Sequence, residues 1–166
     1  MKNGFSLIIL LVFLVTGCAA QLAIKPEADF KIKNVESASV TVNTILPDCK
    51  KEIEQIEKSL TAKLKEYNIF SKITDKSQSP DLIIKVEIEE LVKVSKSERF
   101  WFGAMAGRGK VNGRITLIEE FSGKIIGSFY VESLTSGGSI FAGTTEQAIN
   151  NFIEKIISFI QEKMIL

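Results

Sequence analysis

Between residues 84 and 89 every second side chain is apolar: Ile84, Val86 and Ile88 alternate with Lys85, Glu87 and Glu89. A period of two is the mark of a strand with one buried and one wet face. An antiparallel strand is therefore predicted over 81–94. Residues 35–44, rich in Val, Ser and Thr with Val40 and Val42 alternating, predict an earlier strand. Pro47 and Asp48 then open a helix, with Asp48 as N-cap or first-turn residue. Along it Cys49, Ile53, Ile56, Leu60, Leu64 and Tyr67 recur at steps of three and four, a single apolar stripe ended by Asn68. Residues 69–73 read as a short second strand and 75–80 as polar turn.

Further on, Val111, Gly113, Ile115 and Leu117 alternate with Asn112, Arg114 and Thr116. Phe121-Ser122-Gly123-Lys124 supplies a tight turn, and 125–134 returns as the hairpin partner. Ser136-Gly137-Gly138 breaks the sheet. Thr144 and Gln147 are spaced as a capping box for a last helix, whose apolar face runs through Ile149, Phe152, Ile153, Ile156, Ile157, Ile160 and Met164. The expected fold is α+β, an antiparallel-rich sheet of four to five strands with two helices packed on one face.

The N-terminus speaks to location. One basic residue, Lys2, precedes an apolar run from Phe5 to Val15. That run is too short for the roughly 20 residues a membrane-crossing helix needs, and its layout is that of a secretory signal peptide. Val15-Thr16-Gly17-Cys18 resembles the lipobox of bacterial lipoproteins. The resemblance implies cleavage between Gly17 and Cys18, a diacylglyceryl group on the Cys18 thiol and a further acyl chain on the new amine. Stable anchoring needs more than one chain, so such chemistry makes physical sense. Ala19 in second place resembles the default outer-membrane sorting signal, which implies a domain held at the inner leaflet of the outer membrane and facing the periplasm. The expected organisation is a signal peptide at 1–17, a lipidated tether at 18–34 and one α+β domain at 35–166. With Cys18 lipidated, Cys49 has no partner in the chain and is expected to be a small buried hydrophobe on a helix.

Several chemistries are disfavoured. The chain has 21 basic and 20 acidic residues, a net charge of +1, and so lacks the basic excess that nucleic-acid binding requires. It has no histidine, the commonest general base and metal ligand. The pairs Glu89-Glu90 and Glu119-Glu120 are neighbours in strands, and neighbours in a strand point to opposite faces. Gly103 to Lys110 has one residue too many for a phosphate-cradling P-loop, with Val111 where Ser or Thr is required. The dinucleotide pattern fails as well, because Asn112 stands at its third glycine. No catalytic residue, cofactor, metal or nucleotide is expected. What remains is Arg99-Phe100-Trp101-Phe102, with Phe141 in a second aromatic-glycine segment. Consecutive aromatics put some rings on the wet face of any strand. They either plug the end of the helix–sheet core or form a patch for a partner or a membrane surface, since aromatics and Arg dominate contact hot spots.

The lipobox, the glycine-rich run into the strand at 111 and the Phe121-Ser122-Gly123-Lys124-Ile125-Ile126-Gly127 hairpin together resemble a family of small bacterial lipoproteins known only as a domain of unknown function. That likeness spans roughly residues 48–160. More distantly, the order helix, short strand, long strand is similar to the TolB amino-terminal domain, to lipoprotein subunits of envelope transporters and to lipoprotein activators of cell-wall synthases. These resemblances imply a non-catalytic accessory or adaptor role with an envelope protein partner. The alternative expectation is a lipid- or small-ligand-binding module using a groove between the final helix and the sheet.

Overall fold

The computed structural model of the chain describes residues 24–74, 78–102, 105, 107–135 and 143–164. In order, the elements are β1 (Ile24–Pro26), β2 (Ser37–Thr44), α1 (Lys50–Glu66), β3 (Lys72–Ile73), β4 (Leu82–Val92), α2 (Lys96–Phe102), β5 (Lys110–Glu119), β6 (Ile125–Leu134) and α3 (Thr145–Lys163). The strands form one six-stranded sheet in the order β1-β6-β5-β4-β2-β3. The α+β class holds, and the sheet is mixed. β4, β5, β6 and β1 pair antiparallel in succession, whereas β2 pairs parallel with both β4 and β3. The parallel pairing follows from the connection: the chain leaves β2, crosses through α1 and returns in the same direction, as a helical crossover requires.

The alternating apolar residues of β4 fall where their period places them, with Leu82, Ile84, Val86 and Ile88 all buried. They share one core with Ile56, Leu60 and Leu64 of α1 and with Phe152, Ile153, Ile156 and Ile160 of α3. Each such side chain contributes about 1.5–3 kcal/mol by leaving water. Lys63 of α1 and Glu154 of α3 form an ion pair across the two helices. Tyr67, the last member of the expected stripe, is left 45 % exposed because α1 ends before it.

Both ends of α1 show how backbone geometry sets a boundary. Asp48 is not the N-cap; it takes a left-handed φ of +56°, and Cys49 occupies the cap position with no side-chain cap bond. Asp tolerates that conformation better than most residues, and the Asp48 carbonyl accepts a hydrogen bond from Lys93 Nζ at 2.5 Å. Cys49 is buried, as expected of an apolar thiol. At the other end Asn68, also left-handed at +50°, stops the helix as predicted. The Ile69 amide donates to the Leu64 carbonyl and the Asn68 amide to the Lys65 carbonyl, which is the Schellman pattern. Ile69 and Phe70 are buried, and only Lys72–Ile73 of the expected 69–73 strand pairs.

The expected tether at 18–34 is corrected from Ile24 onward. β1 pairs with β6, the Ile32 amide donates to the Lys163 carbonyl, and Phe30 and Ile32 are buried in the core. The sheet therefore has more strands than the four to five expected. The physical reason lies in Gly127 of β6, where a Cβ would stand 2.3 Å from the Phe30 ring. The missing side chain leaves the space that Phe30 fills.

Asp81 fastens the start of β2 to the start of β4. Its carboxylate accepts hydrogen bonds from Ser37 Oγ and the Ser37 amide, both at 2.8 Å, and from the Glu36 amide at 3.1 Å. The Ser37 hydroxyl and those amides hold the Asp81 carboxyl below its ordinary value of 3.8. A carboxylate with a depressed folded pKa adds stability above its unfolded value and loses it as pH falls through the folded one. Asp81→Ala should therefore cost about 1 kcal/mol at neutral pH, a modest figure because the group is exposed. Urea unfolding at several pH values should show the gap from wild type narrowing below pH 3.8. A gap that widens in acid would contradict the assignment.

Candidate interaction surface

At the end of the sheet where β4 stops and β5 begins, the chain builds a helix outside the core. Val94 and Thr145 exchange backbone and hydroxyl bonds: the Val94 amide donates to Thr145 Oγ1 at 2.7 Å and the Thr145 amide to the Val94 carbonyl at 3.0 Å. This ties the segment leaving β4 to the first turn of α3. Lys96 of α2 adds an ion pair with Glu146 at 2.7 Å. α3 itself begins with the predicted capping box, Thr144 accepting from the Gln147 amide and Gln147 reaching back.

Helix α2 (Lys96–Phe102) is an element that the periodic signals of the sequence do not announce. The mark that identifies it is Ser95-Lys96-Ser97-Glu98, a capping-box spacing. The Ser95 amide donates to the Glu98 carboxylate at 2.6 Å, and the Glu98 amide donates to Ser95 Oγ at 3.1 Å. Bonds from the Ser95 amide and hydroxyl hold the Glu98 carboxyl below its usual range. A following run of aromatics looks strand-like by propensity, but the cap fixes the first turn and the helix carries the rings outward.

Phe100, Trp101 and Phe102 are 67, 77 and 64 % exposed, and Met105 beyond them is 92 % exposed. The reading in which these rings plug the end of the core is thereby corrected. The core is closed there by other means: Val94 and Val111 are buried, and Gly109 lies so close to α3 that a Cβ would stand 2.6 Å from the Thr144 carbonyl. Phe100 and Trp101 touch edge to face with centroids 5.4 Å apart. Arg99 lies in α2 between Glu98 and Phe100. Phe141, Gly17 and Cys18 lie outside the described residues. Ile45, just past β2 at the same end, is 96 % exposed. A cluster of exposed rings and aliphatic side chains on one end is the kind of apolar patch that soluble surfaces seldom leave without a use.

A second polar cluster lies on the face of the sheet away from the long helices. The expectation that Glu89 and Glu90 point to opposite faces is overturned by a bulge between Ile88 and Glu90. Glu89 pairs with Arg114 at 3.6 Å, and Glu90 accepts from Asn112 Nδ2 and pairs with Lys110, both at 2.8 Å. Arg114 also pairs with Glu27 beside β1, and Lys110 with Glu132 at 3.6 Å. The hydrogen bond to Glu90 holds the Lys110 ammonium above its ordinary pKa. Both glutamates are thus engaged by cations, and the cluster ties β1, β4, β5 and β6 together.

The apolar face of α3 packs directly on the sheet, with Phe152 standing 3.2 Å from where a Gly113 Cβ would be. Phe152, Ile153, Ile156 and Ile160 of α3 belong to the core cluster shared with the sheet strands. An open concavity of about 300 Å³ lies at the ends of β2 and β4, lined by Asn43, Thr44, Ile45, Glu87, Ile88 and Glu89. Among the described residues no helix is long and apolar enough to cross a membrane.

Residues 29–137 match the family described as Domain of unknown function (DUF4410). The chain belongs to DUF4410. The match takes in Phe30, both interior hairpin strands and α2, and it stops before α3. The expectation of an uncharacterised domain family is met at that level. No curated protein matches the sequence. Among solved structures, the DUF4410 chain is similar to PelC from Paraburkholderia phytofirmans, a dodecamer, at 16 % identity and a TM-score of 0.59, covering 83 % of this chain and 96 % of that one. It is also similar to the hypothetical protein CT253 from Chlamydia trachomatis, at 7 % identity and a TM-score of 0.52 over 76 % of this chain and 96 % of that one. A third is XCC0632 from Xanthomonas campestris, of the DUF330 family, at 8 % identity and a TM-score of 0.52, covering 83 % and 90 %. At these identities the likeness is one of fold.

Proposed function

We propose that this DUF4410 chain is a lipid-anchored, non-catalytic accessory module of an envelope complex, held through Cys18 and facing the periplasm from the outer membrane. The observation that carries the reading is the exposed aromatic end at α2, a contact surface built outside a core that is already closed. The lipobox-like Val15-Thr16-Gly17-Cys18 and the following Ala19 support the anchor and its sorting. PelC, which shares this fold, is a dodecamer, so the fold is compatible with assembly into an oligomer.

The test is the state of the native protein in its own envelope. Crosslinking in intact cells, followed by gentle solubilisation, should place the chain in a species larger than the monomer that begins at Cys18, made with itself or with an envelope protein. A monomer that crosslinks to nothing, or one that turns over generic hydrolase substrates, would contradict the reading.

A further inference from the structure

We propose that the α2 end of the domain seats on the lipid surface, with Trp101, Phe100 and Phe102 at headgroup depth. The inference rests on the anchored reading above and assigns the α2 end to the membrane, so that a protein partner of the module meets the chain elsewhere. The geometry comes from the direction of β1. That strand is antiparallel to β6, with Ile24 opposite Val131 and Pro26 opposite Phe129. The chain before Ile24 therefore leaves toward Leu134. Leu134 pairs with Lys110, and Lys110 with Val92, so this is the end that carries α2.

Length then decides the orientation. Val131 lies three residues short of the end of β6, roughly 10 Å along the strand. Cys18 is six residues before Ile24, which is at most roughly 20 Å of fully extended chain. A lipidated Cys18 can thus stand no more than roughly 10 Å beyond the α2 end. The opposite end of the sheet, where Phe121 and Ile125 are exposed, lies roughly 30 Å further away along β5. So short a connection presses the α2 end toward the bilayer.

The chemistry of that end suits the interface. Trp carries a broad apolar ring with one polar N–H and settles where hydrocarbon meets headgroups. Met105 and Ile45 add apolar surface at the same end, and Arg108, exposed in the connection into β5, is a cation placed for anionic headgroups. Within α2 the carboxylate of Glu98 is turned back to cap its own helix, and Glu146 beside it is paired with Lys96.

Trp101 is the only tryptophan of the chain, so its fluorescence reports this contact alone. The full lipidated protein is reconstituted into vesicles of phosphatidylethanolamine and phosphatidylglycerol carrying bromine high on the acyl chains. Trp101 emission should shift to the blue, lose most of its intensity to the bromine and become shielded from aqueous acrylamide. Phe100→Ser/Phe102→Ser should reverse these changes severalfold with an unchanged circular dichroism spectrum. Intact mass on the same sample separates the two levels. A chain without lipid mass overturns the anchored reading and this inference together. A lipidated chain whose Trp101 stays open to acrylamide and unquenched by bromine overturns the inference alone. So does Trp101 shielded from acrylamide yet blind to bromine, which would assign the surface to a protein.

Discussion

Phe30→Ala should lower the stability of the domain by about 3 kcal/mol, the low end of what a buried Phe truncation costs. The Phe30 ring sits in the space left by Gly127, stacks on Phe129 with centroids 6.4 Å apart and meets Phe159 edge-on at 6.0 Å. Lys163 Nζ lies 6.0 Å from its centroid, a further attraction across the ring face. Truncation would open a cavity between β6 and α3. Urea unfolding should show a lower midpoint with an unchanged slope. Gly127→Val displaces the same ring from below, so combining the two changes should cost less than their sum. The substitution also bears on function, because Phe30 and Ile32 hold the segment that sets the distance to Cys18. Once that segment is loose, the domain can stand off the membrane, and Trp101 should lose much of its contact with lipid. A loss below about 1 kcal/mol would mean that residues 24–34 behave as the tether first expected from the sequence.

The second large effect concerns the anchor. Exported from an ordinary cleavable leader with Cys18→Ser, the domain should leave the membrane fraction and appear in the soluble periplasm. One acyl chain alone gives a membrane association constant of only about 10⁴ M⁻¹, and each further chain multiplies it. Losing all of them lowers partition by several orders of magnitude, and the aromatic end of α2 is too small to restore it. Fractionation with and without a high-salt wash measures this directly. Retention of the Cys18→Ser domain in the membrane would show that protein contacts, rather than lipid, hold it there.

Much of the fold was legible because the periodic signals were long. The alternation of β4 and β5, the stripe of α1, the Asn68 stop, the β6 limits and the Thr144–Gln147 box are all local patterns, and local patterns survive folding. Three features were not legible for the opposite reason. β1 is a three-residue strand with no period, and the segment after it is fixed where Phe30 fills the gap at Gly127, a contact about a hundred residues away in sequence. The parallel β2–β4 pair depends on where α1 brings the chain back. The bulge after Ile88 shifts the phase of β4 by one residue and places Glu89 and Glu90 beside the same row of cations. At the candidate surface, the residues were found but their setting was not. Phe100, Trp101 and Phe102 stand out by composition, while the Ser95–Glu98 cap that makes them a helix is a four-residue signal beside a strand-like aromatic run. Their exposure is a property of the closed core around them, which no local pattern reports.

The proposed anchor underlies both the adaptor reading and the membrane-seated α2 end, and the intact mass of the protein extracted from its native membrane tests it most directly. The expected species begins at Cys18 and carries a diacylglyceryl group with a further acyl chain, and its extra mass is confined to the N-terminal peptide. A chain that still begins at Met1, or one cleaved elsewhere and free of lipid, would contradict it.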